Sequence, residues 1–351
     1  MTTLVTGSSG HLGEALVRAL RGRGEAVRGL DVTPSPCTDV VASVTDRDAL
    51  REALADAATV FHAATLHKPH VATHGKQAFV DTNVSGTLAV LEESVRAGVL
   101  RVIFTSTTSA FGAALRPPPE AAAVWVTEAL RPLPRNVYGV TKVAAEDLCE
   151  LIHRHEGLPV LVLRTARFFP EADDDEARRA ALADGNLKVL EFLNRRVSLE
   201  DVVAAHLCAR ERAEALGFGR WIVSATTPFR PEDAPRLRED LPAVLEERLP
   251  GSLAALADLG WATLAGLDRV YDAAAARRDL GWEPVDDFAA MLQRVRRTGD
   301  WRGPLARAVG AKGYNDRIFE EGPFPVEPEP RAAPEDARRV RGPADGGTQR
   351  S

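Results

Sequence analysis

A tyrosine and a lysine four residues apart are the side chains best suited to acid–base chemistry in this sequence. They are Tyr138 and Lys142, in the run Tyr138-Gly139-Val140-Thr141-Lys142. On a helix, this spacing places both side chains on one face. A free tyrosine has a pKa of about 10, and a neighbouring ammonium favours its phenolate. The pair predicts a proton-transferring tyrosine, although the same spacing also occurs on many helices without function.

A glycine-rich turn near the N-terminus predicts a site for a nucleotide pyrophosphate. The turn holds Gly7, Gly10 and Gly13 and lies between an apolar run and an amphipathic segment. Gly7 permits a sharp turn, Gly10 lets the backbone approach a pyrophosphate, and Gly13 lets the helix pack close to the sheet. The first N–H groups of that helix attract the anion. The alternative is a tight strand–helix turn without a ligand.

Asp31 closes the second strand-like run, about 20 residues after the glycines, where a carboxylate accepts hydrogen bonds from a ribose diol. A carboxylate there also repels a 2′-phosphate. The residue therefore favours NAD over NADP. The alternative interpretation is a turn residue that precedes Pro34.

Strand-like and helical segments alternate along the first half of the chain. Apolar runs cover residues 2–6, 26–31, 40–42, 59–63, 101–106 and 160–164, and helical patterns cover 13–21, 47–55, 77–97 and 136–155. This alternation predicts an α/β fold, a doubly wound parallel sheet with ligands at the carboxyl edge of its strands. A further strand at 221–224 is expected to return to the sheet, and the proline-rich connection 111–135 is expected to be a functional or mobile loop.

The composition excludes several classes of protein. The 351 residues are 45% hydrophobic with a formal net charge of −6 and no basic block, so no nucleic-acid partner is expected. The apolar runs are short and the chain opens on a strand, which predicts neither a membrane segment nor a signal peptide. Cys37, Cys149 and Cys208 are scattered without zinc spacing, so we expect no metal site and a reducing, cytoplasmic location.

Together these motifs resemble the extended short-chain dehydrogenase/reductases, in particular the NAD-dependent epimerase/dehydratase family. The resemblance covers about residues 2–298 and includes the glycine turn, Asp31 and the tyrosine–lysine pair. The other matching motifs are His62-Ala63-Ala64, Asn83-Val84-Ser85-Gly86-Thr87, Thr105-Ser106-Thr107, Arg196-Val197-Ser198-Leu199-Glu200-Asp201-Val202 and Asp279-Leu280-Gly281-Trp282-Glu283-Pro284. The resemblance implies a Rossmann fold with NAD as cofactor and a small-molecule substrate.

The resemblance also implies which residues are catalytic and which hold the cofactor. Thr107, Tyr138 and Lys142 match the family's catalytic triad, with Ser106 as a competing choice for the hydroxyl. Lys142 would also contact the nicotinamide ribose, and Asn83 would help to hold the cofactor or a water. The implied cofactor residues are Gly7, Ser9, Gly10, His11, Leu12, Gly13, Asp31, Ser43, Val44, Ala63, Ala64, Asn83, Thr105, Tyr138 and Lys142.

Departures from the family pattern bear on the substrate. Thr108 and Ser109 stand where sugar dehydratases carry Asp-Glu, so a 4,6-dehydratase is not expected. Arg167 replaces an asparagine that often touches the phosphates of nucleotide sugars, which puts a nucleotide-sugar substrate in doubt. Lys68, Arg167 and Arg196 together indicate a carboxylate or phosphate on the substrate. The segment around Lys68 is interpreted equally well as a solvated loop.

The expected organisation is an NAD-binding Rossmann domain at 1–166, to which 200–226 returns, and a smaller, mostly helical cap. The cap covers 167–199 and 227–319, and residues 320–351 form a flexible tail without hydrophobic periodicity.

The expected reaction is hydride transfer between nicotinamide C4 and a substrate carbinol, for example on a sugar or other polyol with an anionic group. The sequence leaves open an epimerase without net redox, a dehydrogenase or reductase, and a non-catalytic NAD(H)-binding sensor or scaffold. Helical segments 77–97 and 136–155 are apolar on more than one face. Relatives pair these two helices across a two-fold axis, so a homodimer is expected.

Overall fold

The structure is a computed structural model and describes residues 1–172 and 176–313. The predicted tail at 320–351 and the end of the predicted cap lie outside these residues. Within them, no helix combines the length and the apolar character that crossing a membrane requires.

Seven parallel strands form the central sheet. The strands of the described residues are β1 (Thr2–Thr6), β2 (Val27–Asp31), β3 (Val40–Val41), β4 (Ala57–His62), β5 (Arg101–Thr107), β6 (Val124–Val126), β7 (Val160–Thr165), β8 (Phe218–Val223) and β9 (Arg269–Tyr271). The sheet order is β3-β2-β1-β4-β5-β7-β8. The order in which the chain adds strands reverses between β1 and β4, while all seven strands stay parallel. The predicted doubly wound α/β fold is confirmed, and β8 is the strand that returns to the sheet beside β7.

The helices of the described residues are α1 (His11–Gly22), α2 (Arg47–Ala53), α3 (Lys76–Phe79), α4 (Gly86–Arg96), α5 (Val137–Glu156), α6 (Glu176–Ala181), α7 (Asp184–Glu191), α8 (Leu199–Leu216), α9 (Ala234–Glu239), α10 (Leu241–Arg248), α11 (Ser252–Ala257), α12 (Ala274–Leu280), α13 (Phe288–Thr298) and α14 (Pro304–Val309). Successive residues of a strand place their side chains in two different hydrophobic cores. Val5 packs with α1, α8, α12 and α14, whereas its neighbour Leu4 packs with α2, α4 and α5. Burial on both faces explains why the strands are apolar runs.

The cap has a hydrophobic core of its own, in which Phe192, Leu237, Phe288 and Trp301 are buried. It also contains a two-stranded parallel sheet of β6 and β9. The connection 111–135 is therefore more ordered than the sequence predicts, because β6 lies inside it and pairs with a strand far along the chain.

Two fully buried histidines join the central sheet to flanking helices. His62 Nδ1 lies 2.7 Å from Thr6 Oγ1, and its Nε2 lies 3.0 Å from Thr87 Oγ1. His206 Nε2 lies 2.8 Å from Thr105 Oγ1. Burial lowers the pKa of His62 to about 3 and that of His206 to about 4. Both imidazoles are therefore neutral in the folded protein at neutral pH.

These pKa values predict that the protein loses stability as the pH falls. Below about pH 6.5 the unfolded chain binds protons at these histidines and the folded chain does not, so the free energy of unfolding decreases until about pH 4. Each histidine contributes up to about 1.4 kcal/mol per pH unit. Urea unfolding at several pH values between 7 and 5 should show a smaller pH slope for His206→Gln than for wild type. Equal slopes would contradict the prediction.

Candidate active site

A cavity of about 600 Å³ opens at the carboxyl edge of the central sheet, where the cap faces it. Most of the predicted site residues line it, namely Gly7, Ser9, Gly10, His11, Leu12, Gly13, Asp31, Ser43, Val44, Ala63, Ala64, Lys68, Thr105, Thr107, Tyr138 and Arg167. Asn83, Lys142 and Arg196 do not line the cavity and are buried behind its wall.

The glycine turn between β1 and α1 has the close packing that its residue types predict. Gly7 has a φ of +73°, and a Cβ on it would lie 2.7 Å from the backbone nitrogen of Ala64. A Cβ on Gly13 would lie 1.9 Å from the Gly7 carbonyl oxygen. Helix α1 begins at His11, directly after the turn, so its free N–H groups face the cavity. The turn therefore fits the pyrophosphate of a dinucleotide.

Asp31 lies at the carboxyl end of β2, on the cavity wall. Its Oδ2 accepts a hydrogen bond from the Ser9 backbone N–H at 3.0 Å, and its Oδ1 accepts one from Thr33 N–H at 2.9 Å. Each carboxylate oxygen can accept a second hydrogen bond, which leaves room for a ribose diol. The two backbone bonds fix the carboxylate beside the glycine turn.

This geometry predicts that NADH binds at least about tenfold, or about 1.4 kcal/mol, more tightly than NADPH, because the Asp31 carboxylate repels a 2′-phosphate. Asp31→Ala should narrow the difference. Asp48→Ala is the matched control, since Asp48 is an exposed carboxylate on α2 away from the cavity. Titration by nicotinamide fluorescence measures both affinities. Equal affinities in wild type would contradict the assignment.

His11 connects the start of α1 to the segment after β7. Its Nε2 lies 3.1 Å from Glu171 Oε1, and the same oxygen accepts a hydrogen bond from the Lys312 N–H at 3.1 Å. The Lys312 ammonium also pairs with Glu14 on α1. These contacts hold the end of the described chain against the helix that begins at the pyrophosphate turn.

Thr107 and Tyr138 both line the cavity wall, and the Thr107 side chain lowers the pKa of Tyr138 against the effect of burial. Thr107 is the last residue of β5, and Tyr138 lies in the first turn of α5, whose N-cap Asn136 accepts a hydrogen bond from Gly139 N–H. Ser106, the competing choice, instead donates its hydroxyl to Glu146 on the other side of the strand. Of the two hydroxyls, only that of Thr107 is paired with Tyr138.

Burial dominates the electrostatics of Tyr138 and Lys142. It raises the pKa of Tyr138 to about 12, although the hydrogen bond with Thr107 lowers it. It lowers the pKa of Lys142 to about 7, although Glu146 raises it. Lys142 Nζ donates to the Thr105 carbonyl at 2.6 Å. Without a cofactor, burial is the largest influence on Tyr138 and keeps its phenol protonated at neutral pH, so the expected effect of Lys142 and the nicotinamide ring on the tyrosine pKa stays a prediction.

Glu146 follows Lys142 by one turn of α5 and forms a buried charge network. Arg164 Nη2 donates to Glu146 Oε2 at 2.6 Å, and Arg220 Nε donates to the same oxygen at 3.2 Å. Ser106 donates to the other oxygen. The network joins α5 to β5, β7 and β8.

Asn83 lies in a π-helical turn, Val80–Ser85, between α3 and α4. Its side chain accepts hydrogen bonds from Thr65 Oγ1 and Leu66 N–H and donates to Leu66 O and Thr141 Oγ1, at 2.8–3.0 Å. These bonds use both amide hydrogens, so direct contact with a cofactor would require one to break. In this structure Asn83 instead fixes the loop after β4 against α5.

Several basic side chains line the cavity. The predicted Lys68 and Arg167 are among them, together with Arg195, which precedes the predicted Arg196, and with Arg116, Arg135 and Arg269, which the sequence pattern does not indicate. The prediction for Arg196 requires correction. Its side chain is fully buried, pairs with Glu191 at 2.5 Å and lies over the Trp301 ring, so it faces the cap core.

The segment around Lys68 forms a 3₁₀ helix, Lys68–Ala72, with histidines packed beside it. The rings of His67 and His70 are 4.6 Å apart, and those of His70 and His74 are 5.2 Å apart. Burial lowers the pKa of His70 to about 4. These side chains line the cavity. Among the described residues, no group of three or more His, Cys, Asp or Glu side chains is placed to hold a metal ion.

The fold and the site define an α/β protein of the dinucleotide-binding class with a hydroxyl–tyrosine pair at its ligand edge. Residues 3–220 match the model of the NAD dependent epimerase/dehydratase family. This match covers more than half of the chain, and the chain belongs to that family.

Curated relatives and a solved structure agree with this assignment. Sterol demethylase protein B of Methylococcus capsulatus is 29% identical over 84% of this chain and 97% of its own length. A 3 beta-hydroxysteroid dehydrogenase/Delta 5-->4-isomerase of Mycobacterium tuberculosis is 26% identical over 80% of this chain and 86% of its own. The uncharacterized protein y4nG of Sinorhizobium fredii is 33% identical over 46% of this chain, which spans 40% of that relative. An Agrobacterium tumefaciens short-chain dehydrogenase/reductase superfamily protein with bound NAD superposes with a TM-score of 0.61 at 25% identity, covering 85% of this chain and 98% of that one.

Proposed function

We propose that this protein transfers a hydride between NAD and a substrate carbinol. The Thr107 and Tyr138 side chains, which interact in the cavity wall, are the observation that carries the proposal. NAD supplies the hydride acceptor or donor at nicotinamide C4. During oxidation the Tyr138 oxygen takes the proton of the substrate hydroxyl, and Thr107 holds that hydroxyl in line. Reduction of a carbonyl reverses both transfers.

Lys142 contributes to this reaction although it is buried and does not line the cavity. Its ammonium is held by the Thr105 carbonyl at 2.6 Å, one strand position away from the pair formed by Ser106 and Glu146. A pKa of about 7 means that a substantial fraction of Lys142 is protonated at neutral pH. We propose that this charge favours the Tyr138 phenolate once the cofactor is bound, and that Lys142 then reaches the ribose.

We further propose that the substrate carries a carboxylate or a phosphate. Asp31, beside the glycine turn, is the one acidic side chain among the described residues that line the cavity, whereas their lining includes a lysine and several arginines. This charge attracts anions, and the lack of a second acid among these described residues supports a carbinol oxidation, reduction or epimerisation over a dehydration.

A second candidate substrate is a 3β-hydroxysteroid. Two relatives that match most of this chain are named for sterol or steroid chemistry. The lining also contains Leu66, Leu115, Phe168 and Phe169, which would pack against an apolar ring system. A non-catalytic NAD(H)-binding role is a third possibility, against which the paired hydroxyls at the ligand edge argue.

A matched panel of carbinols tests these proposals. The purified protein is incubated with NAD⁺ and an anionic sugar such as glucuronate, a neutral sugar of the same ring size, or a 3β-hydroxysteroid. NADH absorbance measures net oxidation, and NMR of the products measures epimerisation. We expect the anionic compounds to react. Reaction of the steroid alone would favour the second candidate, and binding of NADH without any turnover would favour a sensor.

We propose a homodimer that pairs α4 and α5 with their copies. Val140 is 53% and Leu151 is 36% exposed, and their spacing of three helical turns places them on one face of α5. Light scattering should give twice the 37.8 kDa of the chain. Leu151→Glu should shift the protein toward the monomer, and a monomeric mass for wild type at micromolar concentration would contradict the prediction.

A further inference from the structure

Arg269 is one of several arginines around the cavity. It lies in β9 of the cap and lines the cavity. Its Nε atom is buried and donates to no acceptor, and the side chain forms no ion pair within residues 1–172 and 176–313. A buried N–H group without an acceptor destabilises the folded protein. Its presence in the cavity lining therefore indicates that a bound ligand supplies the acceptor.

The neighbouring arginines are committed to one carboxylate. Glu191 pairs with Arg195 at 2.6 Å, with Arg196 at 2.5 Å and with Arg167 at 3.8 Å. Ion pairs with the protein therefore hold these three guanidinium groups in place.

Backbone and side-chain hydrogen bonds place Arg269 next to these arginines. Asn194 Nδ2 donates to the Arg269 carbonyl at 2.9 Å, and Tyr271 N–H donates to the Asn194 carbonyl at 2.9 Å. Arg167 N–H donates to the Arg195 carbonyl at 3.3 Å. β9 is thereby tied to the residue that precedes Arg195, and Arg269 and Arg195 reach the cavity from adjoining segments.

We propose that Arg269 binds an oxyanion of the substrate and determines which substrates the site accepts. This inference rests on the proposed function, since it assigns a residue to the anionic group. A guanidinium offers two parallel N–H donors to a carboxylate or phosphate, and partial burial strengthens both bonds. The surrounding arginines add attraction without competing for the same contact, because Glu191 holds them.

Binding measurements test the assignment without requiring turnover. Calorimetry on the NADH complex compares three probes: glucuronate, glucose 1-phosphate and neutral glucose. Wild type should bind at least one of the two anions about tenfold or more tightly than glucose, and the two anions separate a carboxylate from a phosphate site. Arg269→Gln should abolish that preference. Arg269→Lys keeps the positive charge but cannot donate two parallel hydrogen bonds, so it should retain part of the preference.

Arg236→Gln is the matched control, because Arg236 is an exposed arginine of the cap on α9 that pairs with Glu247. It should bind all three probes as wild type does. An unchanged anion preference in Arg269→Gln, an equal loss of glucose and anion binding, or a wild-type protein without anion preference would each overturn the assignment. Anion binding that depends on Arg269, in a protein that turns over no carbinol, would retain the assignment and reject hydride transfer.

Discussion

Tyr138→Phe should lower turnover by about 10²-fold or more while the fold and the affinity for NADH stay nearly unchanged. The substitution removes the oxygen that exchanges a proton with the substrate hydroxyl, and a positioned acid–base group contributes at least this factor. The ring still fills its place in the cavity wall. Loss of the buried hydroxyl should change stability by no more than about 1 kcal/mol. Turnover, nicotinamide fluorescence and thermal unfolding measure the three quantities.

Tyr271→Phe is the matched comparison, because Tyr271 is the other tyrosine among the described residues that line the cavity. It loses the same atom at a position with no role in proton transfer, so we expect a loss of less than about tenfold. Thr107→Val should reduce turnover less than Tyr138→Phe does, since Thr107 orients the hydroxyl without carrying its proton. Wild-type turnover in Tyr138→Phe would reject the mechanism.

Much of the fold follows from local pattern. The alternation of apolar runs and amphipathic segments repeats along the first half of the chain, and central strands such as β1 and β7 are buried on both faces, so their residues are largely apolar. The glycine turn and Asp31 were identified because their chemistry depends on short spacings. The sequence pattern does not identify strand β6, because its partner β9 lies more than 140 positions away and only the folded cap brings the two strands together.

The prediction for Arg196 is wrong for a similar reason, since a local pattern does not show which side chains the fold buries. Arg195 and Arg196 are adjacent, and the segment that contains them runs extended beside Arg167, where alternate side chains point to opposite sides. Sequence alone does not distinguish which of the two faces the cavity, and the structure assigns that place to Arg195. For Lys142 the predicted helix face is correct, but the pattern gives no measure of burial, which sets both its pKa and its bond to Thr105.

Glu146→Ala should destabilise the protein by about 3–5 kcal/mol, the second large effect that we expect. Removal of the carboxylate leaves the fully buried Arg164 guanidinium without its partner, and breaking a buried pair from one side costs about this much. Glu150→Ala is the matched control on the same helix. Glu150 also pairs with Arg220, at 2.9 Å, but is partly exposed, so its loss should cost no more than about 1 kcal/mol. Urea unfolding of both variants gives the two free energies.

The same variant separates a purely structural role of Glu146 from an electrostatic one. Because Glu146 raises the pKa of Lys142 against burial, its removal should lower that pKa below about 7. Lys142 would then be neutral at neutral pH, and the turnover that remains should shift its pH dependence toward lower pH. The isosteric Glu146→Gln should lose less stability than Glu146→Ala, because the amide still accepts hydrogen bonds, yet it should show the same pH shift, because the charge is gone. Equal stability of Glu146→Ala and Glu150→Ala, or an unshifted pH profile in Glu146→Gln, would show that the buried network does not act on α5 in this way.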